Sequence, residues 1–277
     1  MGDPVYIAYH PANTLVCTDT TGAIRRALGV VWDVTSDETV LADRLVFLRG
    51  VRKINLSNTS VTDISPLASC VNLTCLNLFN TLVTDISALA TCVKLTDLYL
   101  HDALVTDITP LTTCVKLIKL NLTNTRVADI SPLASCVNLT MLYLANTRVA
   151  DISPLASCVN LTILSLSDTL VMDISPLASC VNLIWLYLSG TTVTDISALS
   201  ALVNLVKLYI YNARVTDISP LASCVKLSKF YLVNTPVADV SPLASCVILS
   251  KFCLARTLVT DTTPLEHLIA RGLRIIR

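Results

Sequence analysis

The stretch LTMLYLANTRVADISPLASCVN, residues Leu139–Asn160, decides the fold, because close copies of it recur along the chain every 22 residues. Repeats start at Val51, Leu73, Leu95, Leu117, Leu139, Leu161, Leu183, Leu205, Leu227 and Leu249, with no insertion between them. A fixed period of this length marks a stack of small units, none of which can bury its apolar side alone. The front of the unit alternates: Leu142 and Leu144 face one way, and Met141, Tyr143 and Ala145 the other, as in a half-buried strand. The back reads as a short helical turn, with Ser153 placed to cap it, Pro154 at its first position and Leu155 turned inward.

The pattern L-x-x-L-x-L-x-N-T-x-V with "DISPLA" behind it resembles the leucine-rich repeats of the internalin or phosphatase-regulator class, over residues 51 to about 270. One departure is consistent. Where such repeats carry Asn at the ninth position, this chain has Thr59, Thr81, Thr125, Thr147, Thr169, Thr191, Thr235 and Thr257, with Ala103 and Ala213 as exceptions. The resemblance implies an α/β solenoid with a curved parallel sheet on its concave face and short helical or 3-10 turns on the convex one. Residues 1–50 fall outside the period. There Thr35 and Glu38 are spaced as a capping box ahead of the apolar stripe Val40, Leu41, Leu45 and Leu48, which predicts a capping helix over the first repeat. Residues 51–270 hold the ten repeats, and residues 271–277 read as a capping strand after a Gly272 stop, with Arg271, Arg274 and Arg277 as its polar finish.

Composition narrows the function classes. The chain of 277 residues is 53% hydrophobic and carries 20 basic against 20 acidic residues, so no bulk charge draws it to nucleic acid or an acidic membrane. The opening MGDPVYIAYHPANTLVC has neither a basic n-region nor an unbroken apolar core, and no apolar run reaches membrane-spanning length. The expectation is a reduced, cytoplasmic protein. Six Asn-x-Ser/Thr sequons (Asn55, Asn58, Asn72, Asn121, Asn138, Asn160) follow from the Asn- and Thr-rich repeat and carry little weight against that.

Cys70, Cys92, Cys114, Cys136, Cys158, Cys180, Cys224 and Cys246 share the twentieth repeat position, and a row of cysteines raises metal or redox chemistry. Leu202 and Leu268 fill the same position in two repeats. A site that accepts leucine is a packing site, and parallel side chains in a row neither close disulfides nor converge on zinc. The aspartates at position 13, from Asp63 to Asp261, recur in every repeat and are read as acceptors for turn N–H groups, rather than as calcium ligands in a glycine-poor chain. Of three histidines, His101 lies roughly 13 Å along the strand direction from Cys75, out of reach for a nucleophile pair. No hydrolase, phosphate-loop or metalloprotease motif occurs, so neither an enzyme, a metal nor a cofactor is expected.

What varies between repeats is then the expected carrier of identity. Positions 3, 5 and 7 point out of the sheet, and six of the eight tyrosines lie there: Tyr99, Tyr143, Tyr187, Tyr209, Tyr211 and Tyr231. At position 3 an apolar run, Met141, Ile163 and Trp185, passes into Lys207, Lys229 and Lys251. Tyr, Trp and Met in one patch are the composition of a protein-binding surface. The expected function is a non-catalytic interaction module or scaffold for a partner protein with an acidic segment, with nucleic acid disfavoured and the oligomeric state open. An extracellular adhesin, which the internalin resemblance implies, and an architectural subunit of a larger complex stand as alternatives.

Overall fold

The computed structural model describes residues 8–10, 14–16 and 51–277. The helix expected over residues 35–49 lies outside the described residues. Two compact units make up the chain, Met1–Leu139 and Thr140–Arg277. In the first, β1 (Ala8–His10) and β2 (Thr14–Val16) pair antiparallel, and β2 then runs parallel to β3 (Lys53–Asn55). Three further parallel strands follow: β4 (Cys75–Asn77), β5 (Asp97–Tyr99) and β6 (Lys119–Asn121). The second unit is a parallel sheet of β7 (Met141–Tyr143), β8 (Ile163–Ser165), β9 (Trp185–Tyr187), β10 (Lys207–Tyr211), β11 (Lys229–Val233), β12 (Lys251–Cys253) and β13 (Arg274–Ile276).

Each rung follows from the repeat letters. Apolar residues at positions 1, 4, 6, 11, 14, 17 and 20 turn inward, so that Leu139, Leu142, Leu144, Val149, Ile152, Leu155 and Cys158 are all closed to solvent. The back half forms a 3-10 turn of five residues, such as Ser153–Ser157. Its start differs from the sequence reading. Ser153 is the first residue of the turn, and the bond is made by Asp151, whose Oδ1 accepts the Ser153 backbone N–H at 2.7 Å while Oδ2 accepts the Ser153 hydroxyl. All ten position-13 aspartates accept the backbone N–H two residues on. The carboxylate wins over the serine because, at the residue before the cap, it reaches the N–H and the hydroxyl at once.

The strand ends in a second device. Position 8 reads Asn58, Asn80, Asp102, Asn124, Asn146, Asp168, Gly190, Asn212, Asn234 and Arg256, and every one of these has positive φ, between 52° and 69°. Asn, Asp and Gly tolerate that left-handed region, whereas other side chains lose about 1–2 kcal/mol there. The position-9 threonine then locks the turn by donating its hydroxyl to the carbonyl three residues back at 2.6–2.8 Å. Gly190 is the sharpest case. A Cβ there would stand 2.1 Å from the Asp168 Oδ1 of the preceding rung, at φ +69°. Gly190→Ala is therefore expected to lower stability by about 1–2 kcal/mol, read as a shift in urea midpoint. An unchanged midpoint would contradict the left-handed requirement.

Candidate functional site

Positions 3 and 5 of each strand face outward, and the register fixes which of them are neighbours. In the second unit Lys207 pairs with Trp185, Lys229 with Lys207 and Lys251 with Lys229, while Tyr187, Tyr209 and Tyr231 form a row two residues along. Their rings stack: Tyr187 on Tyr209 at 4.6 Å and 12°, Tyr209 on Tyr231 at 4.6 Å and 6°. Tyr211 meets Tyr209 and Tyr231 edge-on at 6.2 and 6.3 Å. Lys207 Nζ sits 3.9 Å above the Trp185 ring, and Lys251 Nζ 5.0 Å from the Tyr231 ring. Offset and edge contacts between rings contribute about 0.5–1.5 kcal/mol each, and cation–π contacts at such half-exposed sites about 0.5–1 kcal/mol. The cluster is thus fixed in shape ahead of any partner.

The backbone changes at the same place. β10 and β11 run for five residues, Lys207–Tyr211 and Lys229–Val233, where the other strands of the unit have three. These are the rungs that lack the threonine lock. Ala213 has no hydroxyl, and the Thr235 hydroxyl is buried with no partner. Ala103, the other exception, keeps its turn through its backbone N–H to Leu100 at 3.0 Å, and its strand stays short. The two extra residues per strand place Tyr211 beside Val233 and widen the sheet under the tyrosines.

Lost water and the neighbouring phenols hold Tyr187 and Tyr209 above the usual phenol range. Tyr211 is pushed up to about 12, by desolvation first and then by Cys253, Tyr231 and Tyr209. All three are neutral hydrogen-bond donors at physiological pH. The structure brings together Tyr187, Tyr209, Tyr211, Tyr231, Trp185, Lys207, Lys229 and Lys251. Tyr143 and Met141 lie two strands from Tyr187 and Trp185, on β7. Ile163 is a correction to the expected exposed apolar run: flanked in register by the larger Met141 and Trp185, it is 9% exposed and forms a floor. Tyr99 belongs to the first unit, on β5 between Asn77 and Asn121. In that unit Phe79 stacks on His101 at 4.1 Å, and Lys119 pairs with Asp97 at 3.6 Å, a half-exposed ion pair of little energetic consequence.

The repeated cysteines are core. Each of the eight is buried and none is in a disulfide. Burial pushes the Cys70 and Cys224 thiols up to about 12, and those of Cys114, Cys180 and Cys246 up to about 11. A thiol held protonated is a poor nucleophile and a poor metal ligand. The sequence does not reveal where its proton goes. The Sγ of Cys92, Cys114, Cys136, Cys180, Cys224 and Cys246 lies 3.3–3.7 Å from the carbonyl of a leucine in the preceding rung, as a weak donor to a turn-end acceptor. Among the described residues no group of His, Cys, Asp or Glu could hold a metal ion, and no helix is long and apolar enough to cross a membrane.

A family profile described as "Leucine Rich repeats (2 copies)" matches residues 49–91, 137–179 and 181–223. No curated protein sequence matches the chain. Among solved structures, an internalin (inlF) from Listeria monocytogenes str. 4b F2365 is similar at 31% identity and TM-score 0.83, over 92% of this chain and 73% of that one. Internalin C2 (inlC2) of the same strain is 33% identical, with TM-score 0.65 over 66% of this chain and 81% of its own. The functional domain of InlJ from Listeria monocytogenes, which includes a cysteine ladder, shares the fold at 19% identity, with TM-score 0.66 over 84% of this chain and 54% of that one. With its 22-residue rungs of strand and 3-10 turn, and this level of identity across most of two internalins, the chain belongs to the leucine-rich-repeat family, of internalin type.

Proposed function

We propose that the chain is a non-catalytic binding module that captures a partner protein on the outward face of β7–β13. Tyr143, Trp185, Tyr187, Tyr209, Tyr211 and Tyr231 are its anchors, with Lys207, Lys229 and Lys251 as a cationic edge. Leucine-rich-repeat folds generally mediate protein–protein interaction, and proteins of this type are typically non-catalytic. The observation that carries the assignment to this face is the stacked tyrosine cluster on the two strands that depart from the repeat rule. Departures from an otherwise uniform scaffold concentrate where function is placed. Rigid aromatic rings bury large area with little loss of side-chain freedom, which is the behaviour of interface hot spots.

The test is affinity capture from native lysate with the wild-type chain and a Trp185→Ala/Tyr209→Ala double variant. Each truncated anchor is expected to weaken capture by at least tenfold, so the double variant retains essentially none while still unfolding in one cooperative urea transition, at a midpoint lowered by the lost ring contacts. Undiminished capture by the double variant would refute the assignment.

A surface adhesin is the second reading, favoured by the likeness to internalins. Glycans on the sequons of native material would support it; fully reduced thiols in that material would support a cytoplasmic module instead.

A further inference from the structure

The tyrosine row of the second unit has a missing rung. Position 5 reads Tyr143 on β7, Ser165 on β8 and Tyr187 on β9, three residues in direct register. Tyr187 spends one ring face on Tyr209, and its other face looks across Ser165 towards Tyr143. The row advances by 4.6 Å per rung where it is filled, so two rungs separate the Tyr143 and Tyr187 rings by roughly 9 Å. One planar ring fits midway, at the stacking distance the row already uses. Ser165 is 7% exposed and Ile163 9%, so the flanking side chains already shield the base between the two tyrosines, part hydroxyl and part aliphatic, and an added ring would sit above it. Trp185 closes one end, held by Lys207. At the other end stand the short side chains of Ala145, Ser167 and Ser189.

Charge gives the second constraint. Lys207, Lys229, Lys251 and Arg274 stand directly beside one another on β10–β13. The outward positions of β7–β13 carry no carboxylate. Like charges in register on neighbouring strands repel; Lys207 and Lys251 lean on ring faces, and no carboxylate of this face neutralises the row. The cation row begins two strands from the slot, about 10 Å, and ends five strands away, about 24 Å. An extended peptide crossing the strands at about 3.4 Å per residue covers that interval between its third and seventh residue.

Resting on the reading of this face as partner-binding, we infer that the slot between Tyr143 and Tyr187 takes one aromatic side chain of an extended acidic peptide segment. The carboxylates of that segment, three to seven residues from the ring, lie along Lys207, Lys229, Lys251 and Arg274. Single-stranded nucleic acid pairs rings with anions too, but it is held by a succession of open ring faces. Here Tyr209 has both faces covered by its neighbours, and one slot remains.

The probe is the fluorescein-labelled peptide Trp-Ser-Gly-Glu-Glu-Glu-Glu-Glu, in this and the reversed order, beside the same peptides with Ala for Trp and an eight-residue oligothymidylate. Fluorescence polarisation with the full chain is expected to show one Trp peptide binding at least tenfold tighter than its Ala counterpart. Ser165→Tyr, which fills the slot with the row's own residue, removes that tenfold difference; Ser165→Ala retains it. Tyr143→Ser, which takes down one wall without adding bulk, also lowers binding of the Trp peptide and leaves the Ala peptide unchanged, and this variant answers the question if Ser165→Tyr does not fold. Equal binding of Trp and Ala peptides, or a Trp preference that survives both Ser165→Tyr and Tyr143→Ser, would overturn the slot. Oligothymidylate binding tighter than either Trp peptide would overturn the peptide assignment in favour of nucleic acid. Loss of native partner capture in the Trp185→Ala/Tyr209→Ala variant, alongside a Trp preference indifferent to Ser165→Tyr and Tyr143→Ser, would retain the binding face and discard the slot alone.

Discussion

Raising the pH from about 8 to about 11 is expected to remove several kcal/mol of stability and to unfold the repeats, through the buried thiols. An ordinary thiol ionises near 9.0, whereas Cys70 and Cys224 hold their protons to about 12 and Cys114, Cys180 and Cys246 to about 11. Above pH 9 the unfolded chain therefore releases protons that the native chain keeps. The unfolded state binds fewer protons, so stability falls with rising pH, by about 1.4 kcal/mol per pH unit for each such thiol. The stabilisation is complete below about 9 and is lost as the pH climbs through the native values. The thiols stand in one row and raise one another, so their contributions act in the same direction without simply adding. Tyr187, Tyr209 and Tyr211, also raised, act in the same direction at the upper end of the range. Urea midpoints measured across this interval provide the check, with a variant carrying leucine at two of the cysteine positions, as at Leu202, expected to show a shallower slope. A midpoint that stays level to pH 11 would mean that the thiols ionise in place.

Phe230→Ala is expected to cost about 3–5 kcal/mol, the largest effect of any single truncation considered for the second unit. Phe230 and Phe252 are fully buried on neighbouring strands, with rings stacked at 5.4 Å and 7°, where β7–β10 carry Leu142, Leu164, Leu186 and Leu208. Truncation opens a void that a parallel stack closes poorly, because each rung is held at a fixed strand spacing by its two neighbours. Phe230→Leu restores the residue used elsewhere and is expected to cost about 1 kcal/mol, since volume falls only partly and the void is small. Chemical denaturation of the two variants separates the cases. A cost below about 1 kcal/mol for Phe230→Ala would show that Leu208 and Phe252 collapse into the space. Phe230 lies between Lys229 and Tyr231 on β11, so the same variant is also expected to loosen the tyrosine stack above it.

The rung was legible in the sequence because its determinants are local and repeated ten times. Strand alternation, the Asp at the turn and the leucine control on the cysteine position each recur in the letters. The left-handed residue was equally present at position 8, as a column of Asn, Asp and Gly broken by Arg256. The threonine beside it is the more conspicuous departure from the family pattern and masks that column. What period alone could not give was the difference between rungs. The lengthening of β10 and β11 coincides with a hydroxyl that Ala213 lacks and that Thr235 has but does not use, while the rung of Ala103, also without a hydroxyl, keeps its short strand through a backbone bond. Thr235 has the same letter as the locking threonines, so its own residue does not display the distinction. Ile163 was expected to project because its position does; its burial arises from the size of Met141 and Trp185 on either side. Side-chain volume across strands is a spatial property that a column of letters does not display.

The left-handed residue, the aspartate turn and the strand all recur once per 22 residues, and each rung contains its own complete set. In terms of the gene, this makes the array indifferent to where copies are exchanged. Recombination between two near-identical repeats that shifts the alignment by whole periods inserts or deletes an entire rung, and every turn and every inward column falls back into place. An exchange by any other number of codons moves a different residue onto the left-handed position and puts the inward columns out of phase with the core. Copy number is thus free to drift while the phase is held, and a surface feature that arises in one rung, such as a tyrosine at position 5, can spread to its neighbours by the same exchange.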